Sequence, residues 1–275
     1  MAPTDTNVVP LRSGETIPKL GLGVWQVRSG ATTRKAVLAA LATGYRHIDT
    51  AAIYGNEEDV GAALRESGLR REDVFVTTKL WNDDQGYDAA LRAFDASLGR
   101  LGLAYVDLYL VHWPVPGKRL DSWRALERLA SEGRARAIGV SNHLVPHLEE
   151  LLATAKVPPA VNQIELHPFL QRRATVELCQ REGIVLEAYS PLTHGQRLDD
   201  PTVVAVAANV RRTPAQVLLR WGIQRGFVVL PKSSNPARIA ENAALFDFAL
   251  SDADMRRLDA LEEDFATCWD PATVA

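Results

Sequence analysis

The chain has 275 residues, of which 47% are hydrophobic and 24% charged, and its 31 Lys plus Arg against 34 Asp plus Glu leave a formal charge of −3. That balance excludes a disordered, collagen-like or low-complexity chain and leaves no basic footprint for nucleic acid. The apolar run at 36–42 is far short of the roughly 20 residues that span a bilayer, and the opening MAPTDTNVVP has no basic n-region and no apolar h-region, so a cytosolic protein is expected.

Residues 8–11 and 17–20, joined through Ser13–Gly14, read as a β-hairpin. Residues 20–24, where Leu22 and Val24 alternate with glycines, read as a first short strand. A helix over 31–43 follows, with Val37, Ala40 and Leu41 on one stripe and Gly44 placed to end it. After a strand-like run at 47–48, a helix is predicted over 56–67, with Asn56 as its cap, Glu57, Glu58 and Asp59 in its first turn and Gly68 past its end. The pattern then repeats. Strand-like runs at 74–78, 106–111, 135–140, 160–164, 184–188 and 227–230 alternate with helical stretches at 87–101, 121–132, 144–155, 171–182, 201–210, 214–225, 236–243 and 252–262. The runs are mostly apolar on both faces, as parallel strands covered by helices are. Eight βα units in about 250 residues predict an α/β fold, a (β/α)8 TIM barrel with an N-terminal β-hairpin and extra helices. No linker or charge run divides the chain, so 1–275 reads as one domain. A doubly wound sheet would need a GxGxxG turn; Gly21-Leu22-Gly23-Val24-Trp25-Gln26 begins as one, but its third position is Gln26 and no helix follows at once.

Barrels of this kind carry their chemistry at the C-terminal ends of the strands. The polar residues just past the apolar runs are Asp49 and Tyr54, Lys79, His112, Ser141 and Asn142, Gln163 and Glu165, Tyr189 and Ser190, and Lys232 and Ser233. They follow one another at about the spacing of a βα unit, except that the last gap leaves room for an extra helix. Each alone is explained as well by a cap, a solvated charge or a packed ring. Together an acid, a base, a phenol and an imidazole on neighbouring strands make a proton-transfer set. An ammonium lowers the pKa of a nearby phenol, and a carboxylate keeps a buried ammonium charged. Tyr54 as general acid, Lys79 as its tuner and Asp49 as the anchor of Lys79 form a consistent chain, and His112 can orient a carbonyl oxygen. No side chain supplies a hydride, so a cofactor is required.

Two other chemistries fit the sequence less well. His47, Asp49, His112, Glu165 and His167 are metal-ligand types near strand ends, but that scheme leaves Tyr54 and Lys79 without a role, and no metal is expected. No G-x-S-x-G occurs to support a serine hydrolase. Cys179 and Cys268 are too few for a disulfide framework and read as unpaired thiols.

The sequence resembles an aldo-keto reductase over nearly its whole length. The resemblance rests on Ile17-Pro18-Lys19-Leu20-Gly21-Leu22-Gly23, on Gly44-Tyr45-Arg46-His47-Ile48-Asp49-Thr50-Ala51 with Tyr54-Gly55-Asn56-Glu57, and on Thr77-Thr78-Lys79-Leu80-Trp81. It continues through Leu108-Tyr109-Leu110-Val111-His112-Trp113-Pro114, Ile138-Gly139-Val140-Ser141-Asn142, Asn162-Gln163-Ile164-Glu165 and Ala188-Tyr189-Ser190-Pro191-Leu192. It ends with Leu230-Pro231-Lys232-Ser233 through Arg238, Glu241 and Asn242. The resemblance implies NADPH-dependent reduction of aldehydes or ketones, with Asp49, Tyr54, Lys79 and His112 as the catalytic set. Lys79 and Asp49 would depress the Tyr54 pKa. Ser141, Asn142 and Gln163 would hold the nicotinamide carboxamide and Tyr189 would stack on its ring, with Ser190 and Leu192 beside it. Lys232, Ser233, Ser234, Arg238, Glu241 and Asn242 would take the phosphate end.

The phosphate end also has an argument of its own. Asn235 can cap and Pro236 can open a helix directly after Lys232-Ser233-Ser234, and a helix N-terminus favours an anion. Lys232 and Arg238 add charge, which predicts NADPH over NADH. Asn235 stands where many relatives carry another basic residue, so the preference is expected to be less sharp than theirs.

Trp25, Tyr54, Trp81, His112 and Trp113 are expected to line an aromatic cleft. The segment 193–199 and the tail 264–275 are short, which predicts a fairly open cleft and a pattern most similar to the prokaryotic 2,5-diketogluconate reductase group. Trp269-Asp270-Pro271 either closes one wall or packs on the barrel. The reading is a cytosolic monomer that reduces small aldehydes, α-dicarbonyls or keto-sugars. The alternative is an NADP(H)-sensing binding protein of the same fold.

Overall fold

The computed structural model describes residues 7–274. The hairpin forms between β1 (Val8–Pro10) and β2 (Thr16–Pro18), antiparallel, with Val9 opposite Ile17. Gly14 turns it at φ +92°, and Leu11 N donates to Glu15 O across the turn at 2.8 Å. Eight parallel strands follow: β3 (Leu22–Gly23), β4 (His47–Asp49), β5 (Phe75–Leu80), β6 (Val106–Val111), β7 (Ala135–Ser141), β8 (Val161–Glu165), β9 (Val185–Tyr189) and β10 (Val228–Leu230). Each pairs with the next in chain order. The ring closes where Leu20 bridges Val229 and Gly21 N donates to Val229 O at 3.0 Å. The run read as one strand over 20–24 is therefore split into the short β3 and this closing bridge.

The helices are α1 (Ala31–Ala42), α2 (Glu57–Glu66), α3 (Tyr87–Leu101), α4 (Arg119–Ser131), α5 (Val145–Leu152), α6 (Arg173–Arg181), α7 (Pro201–Val210), α8 (Pro214–Gln224), α9 (Pro236–Ala243) and α10 (Asp252–Asp259). The long gap before the last strand holds both α7 and α8. Asp200 caps α7 by accepting from Thr202 N at 2.8 Å and Val203 N at 3.1 Å, and Thr213 with Gln216 makes a capping box on α8. Asn56 precedes α2 but does not cap it. Its buried side chain accepts from Thr50 Oγ1 at 2.9 Å and donates to Val24 O at 3.0 Å. Buried loop carbonyls need a donor, and that need outweighs the cap. Glu57 in the same turn is also buried, accepting from Thr78 Oγ1 and Arg100 Nε, each at 2.6 Å.

The main core lies between strands and helices and includes Trp123, Trp221 and Phe94. A second cluster fills the opposite end from the strand C-termini. There Leu11 and Ile17 of the hairpin region pack with Phe75, Leu108, Leu110 and Val228. The hairpin thus plugs the barrel floor, and the strand C-terminal ends form its mouth. Neither cysteine is in a disulfide. Among the described residues no helix is long and apolar enough to cross a membrane.

Candidate active site

Asp49 ends β4 and Lys79 lies near the end of β5, so both reach the barrel mouth from adjacent strands. Tyr54 sits in a 3-10 turn, Ala52–Tyr54, just after β4. Lys79 is fully buried. Its Nζ donates to Asp49 Oδ1 at 2.7 Å, to the Thr50 carbonyl at 2.9 Å and to the Tyr54 hydroxyl oxygen at 3.3 Å. All three protons of the ammonium are thereby engaged. His112 follows β6, and its ring stands edge-on between Tyr54 (centroids 5.7 Å apart) and Trp81 (5.3 Å). Its Nδ1 is buried without a partner. The four residues singled out from the sequence meet at one place.

The electrostatics correct one expectation. Burial pushes the Tyr54 phenol up to about 12; the Lys79 charge opposes that rise, and the Asp49 charge adds to it. Lys79 lowers the phenol as expected, but Asp49 does not, and the net shift is upward because desolvation of the phenolate outweighs the ammonium. Burial also lowers Lys79, yet the charges of Asp49 and Tyr54 reverse that and leave it above its ordinary value. Burial, then the Lys79 charge, push His112 well below its usual range. At neutral pH the site therefore holds a neutral phenol, an ammonium and a neutral imidazole.

The residues expected at the nicotinamide end are linked. Ser141 Oγ donates to Gln163 O at 2.9 Å, Asn142 Nδ2 donates to His112 O at 2.9 Å, and the Tyr189 hydroxyl donates to Asn142 Oδ1 at 2.8 Å. Gln163 Nε2 donates to Asp49 Oδ2 at 2.9 Å, which ties this group to the Lys79 cluster. Ser190 Oγ lies 3.0 Å from His194 Nε2, and Leu192 packs against the core. At the other end Asn235 caps α9, accepting from Ala237 N at 2.9 Å, with Pro236 at the first helical position. Ser233 is buried and accepts from Asn235 N at 3.1 Å, while Ser234 is exposed. Lys232 and Arg238 are exposed and make no ion pair with the described residues. Glu241 is engaged by Thr213 Oγ1 at 2.6 Å, and Asn242 is buried.

Trp81 directly follows β5 and Trp113 lies just past β6. Trp113 faces Trp269 of the tail at 4.6 Å, and Trp25 faces His194 at 5.7 Å. The five residues weighed as metal ligands do not converge. Asp49 and His112 belong to the set above, His47 Nε2 lies 3.0 Å from Thr77 Oγ1, and Glu165 and His167 turn to each other and the tail. Sequence reasoning missed Glu187. It is fully buried on β9, its Oε2 accepts from Gln163 Nε2 at 3.0 Å, and its Oε1 lies 3.7 Å from His47 Nε2. Its signal was a lone carboxylate inside an apolar strand.

Residues 19–263 match the Aldo/keto reductase family. The chain belongs to that family. It is 51% identical over 258 residues to glyoxal reductase of Bacillus subtilis (strain 168), covering 94% of each chain. An aldo-keto reductase from a Medee basin deep-sea metagenome library superposes with a TM-score of 0.94 at 44% identity, covering 98% of this chain and 99% of that one. The aldo-keto reductase of Bombyx mori in complex with NADP superposes with a TM-score of 0.90 at 38% identity, covering 95% and 94%. The chain is an oxidoreductase of this family.

Proposed function

We propose that the chain reduces small aldehydes, α-dicarbonyls or keto-sugars such as 2,5-diketogluconate with NADPH, Tyr54 acting as general acid. The observation that carries this reading is the Lys79 ammonium donating both to Asp49, at 2.7 Å, and to the Tyr54 hydroxyl oxygen, at 3.3 Å, at the barrel mouth. The glyoxal reductase of Bacillus subtilis supports the substrate class, and the structure of the Bombyx mori relative with NADP supports the cofactor.

The residues present fit a phosphorylated dinucleotide. Two exposed cations that make no ion pair with the described residues, Lys232 before α9 and Arg238 in its first turn, stand at a capped helix N-terminus with serine donors beside it, which is the chemistry an anion needs. Lys232, Ser233, Ser234, Arg238, Glu241 and Asn242 would hold that end. Ser141, Asn142, Gln163, Tyr189, Ser190 and Leu192 would hold the nicotinamide end. When bound, the dinucleotide supplies the hydride.

This chain's residues handle the proton. Tyr54 keeps its proton at neutral pH and can give it to a carbonyl oxygen. Lys79 already donates to the phenol oxygen, so it stabilises the phenolate as the proton leaves. Asp49 balances the Lys79 charge in a place water hardly reaches. His112, being neutral, carries one N–H with which to orient the carbonyl oxygen. In this reading the chain works as a cytosolic monomer, which light scattering on the purified protein checks.

Loss of NADPH absorbance across a carbonyl panel tests the proposal. Turnover by the wild type, and a Tyr54→Phe variant that binds NADPH normally but reduces glyoxal at least about 100-fold more slowly, are expected. Binding of NADPH without turnover of any carbonyl would favour a nucleotide sensor instead.

A further inference from the structure

Glu165 ends β8 two residues beyond Gln163, and the proton chemistry makes no use of it. It is 5% exposed, and the C-terminal tail supplies most of its partners. Thr267 N donates to its Oε1 at 2.8 Å, and Thr267 Oγ1 donates to the same oxygen. Cys268 N donates to its Oε2 at 3.2 Å, and His167 Nε2 lies 3.2 Å from Oε1. Burial raises this carboxyl, but the bonds from His167 and Thr267 outweigh burial and hold it below its ordinary range. It is an anion at neutral pH, and hydrogen bonds to an anion are shorter and stronger than neutral ones.

Two consecutive backbone N–H groups on one carboxylate fix both the position and the direction of the chain. The next residue is Trp269. Beyond it Asp270 is tethered in turn, accepting from Arg172 at 2.8 Å. Trp269 is therefore bracketed by two polar anchors. Its ring lies against Trp113, the neighbour of His112, yet it stays 58% exposed. An indole held half out of the core at the barrel mouth offers an apolar face to whatever enters there.

We propose that Glu165 is a positioning residue that clasps Thr267 and Cys268 and so holds Trp269 as an apolar wall of the substrate cleft, adding affinity for carbonyl compounds that bear an aromatic ring. The proposal rests on the carbonyl-reductase reading. Glyoxal has no ring to lay against the wall, so the clasp acts on selectivity between substrates and leaves the proton transfer at Tyr54 to its own residues.

The test compares 4-nitrobenzaldehyde with glyoxal, both reduced with NADPH, and measures hydrogen exchange in the C-terminal peptide that contains Thr267 and Cys268. In Glu165→Ala the KM for 4-nitrobenzaldehyde is expected to rise about tenfold, while that for glyoxal rises less than about twofold. Exchange of the tail amides is expected to quicken by about 100-fold. Glu165→Gln keeps one carbonyl acceptor and should recover part of both effects. Trp269→Ala should reproduce the KM split. Thr267→Val removes a single donor outside the barrel and should give a smaller split in the same direction; it decides the matter if Glu165→Ala does not fold. Unchanged amide exchange in Glu165→Ala overturns the clasp, and KM values that move together overturn the wall. A wild type that reduces neither compound overturns the carbonyl-reductase reading instead, and the exchange measurement still judges the clasp.

Discussion

The Lys79 ammonium and the Asp49 carboxylate lie 2.7 Å apart, on adjacent strands, with the lysine wholly shielded from water. A charge in that position persists only because its counter-charge is fixed by the barrel itself. Asp49 is held in turn by Gln163 from across the barrel.

Removing one member of such a pair leaves the other buried and uncompensated, at a cost of about 3–5 kcal/mol. Asp49→Asn is therefore expected to lower the urea midpoint and to reduce turnover, since an unpaired Lys79 sheds its proton and no longer supports the Tyr54 phenolate. Equilibrium unfolding at neutral pH with a parallel NADPH assay measures both. A variant as stable and active as the wild type would contradict the role given to the pair.

Glu187 makes stability depend on pH. Burial, then the Asp49 charge, push it up to about 8 from an ordinary 4.5. Between those values the folded state holds a proton that the unfolded chain has released. Its contribution is thus complete below pH 4.5, falls as pH rises, and is lost above about 8. Glu187→Gln cannot ionise. Its stability relative to wild type is expected to increase from pH 5 to pH 9, as read by chemical denaturation across that range. A difference that stays constant with pH would place the ordinary carboxylate there.

The cations beside α9 are expected to read the 2′-phosphate. Lys232→Gly with Arg238→His should weaken NADPH by about tenfold or more for each lost contact, and NADH much less. Fluorescence titration with both dinucleotides checks this. Equal weakening would move the phosphate elsewhere.

The barrel was legible because its strands are apolar on both faces and its helices carry one stripe each, patterns that burial imposes locally. The closure was less so. Gly21 sits where an added Cβ would lie 2.6 Å from His47 and Leu230, a contact between chain ends that no local pattern encodes. The meeting of Asp49, Lys79 and His112 was legible because they stand at or next to strand ends. Glu187 escaped because its partners, Gln163 and His47, come from other strands. Asn56 misled because a residue in the right place for a cap was buried and needed elsewhere. The direction of the Tyr54 shift depends on how much water the folded site excludes, which residue types do not state.

The hairpin plug has a consequence for the whole barrel. With Leu11 and Ile17 packed into the floor cluster, the hairpin stoppers the barrel at the end away from Tyr54. Asp49, Lys79, Tyr54 and His112 lie together at the other end, so a molecule that covers the mouth dries all of them together. The Tyr54 phenol should then move further up and the His112 imidazole further down when a ligand arrives, each in the sense that burial already drives it.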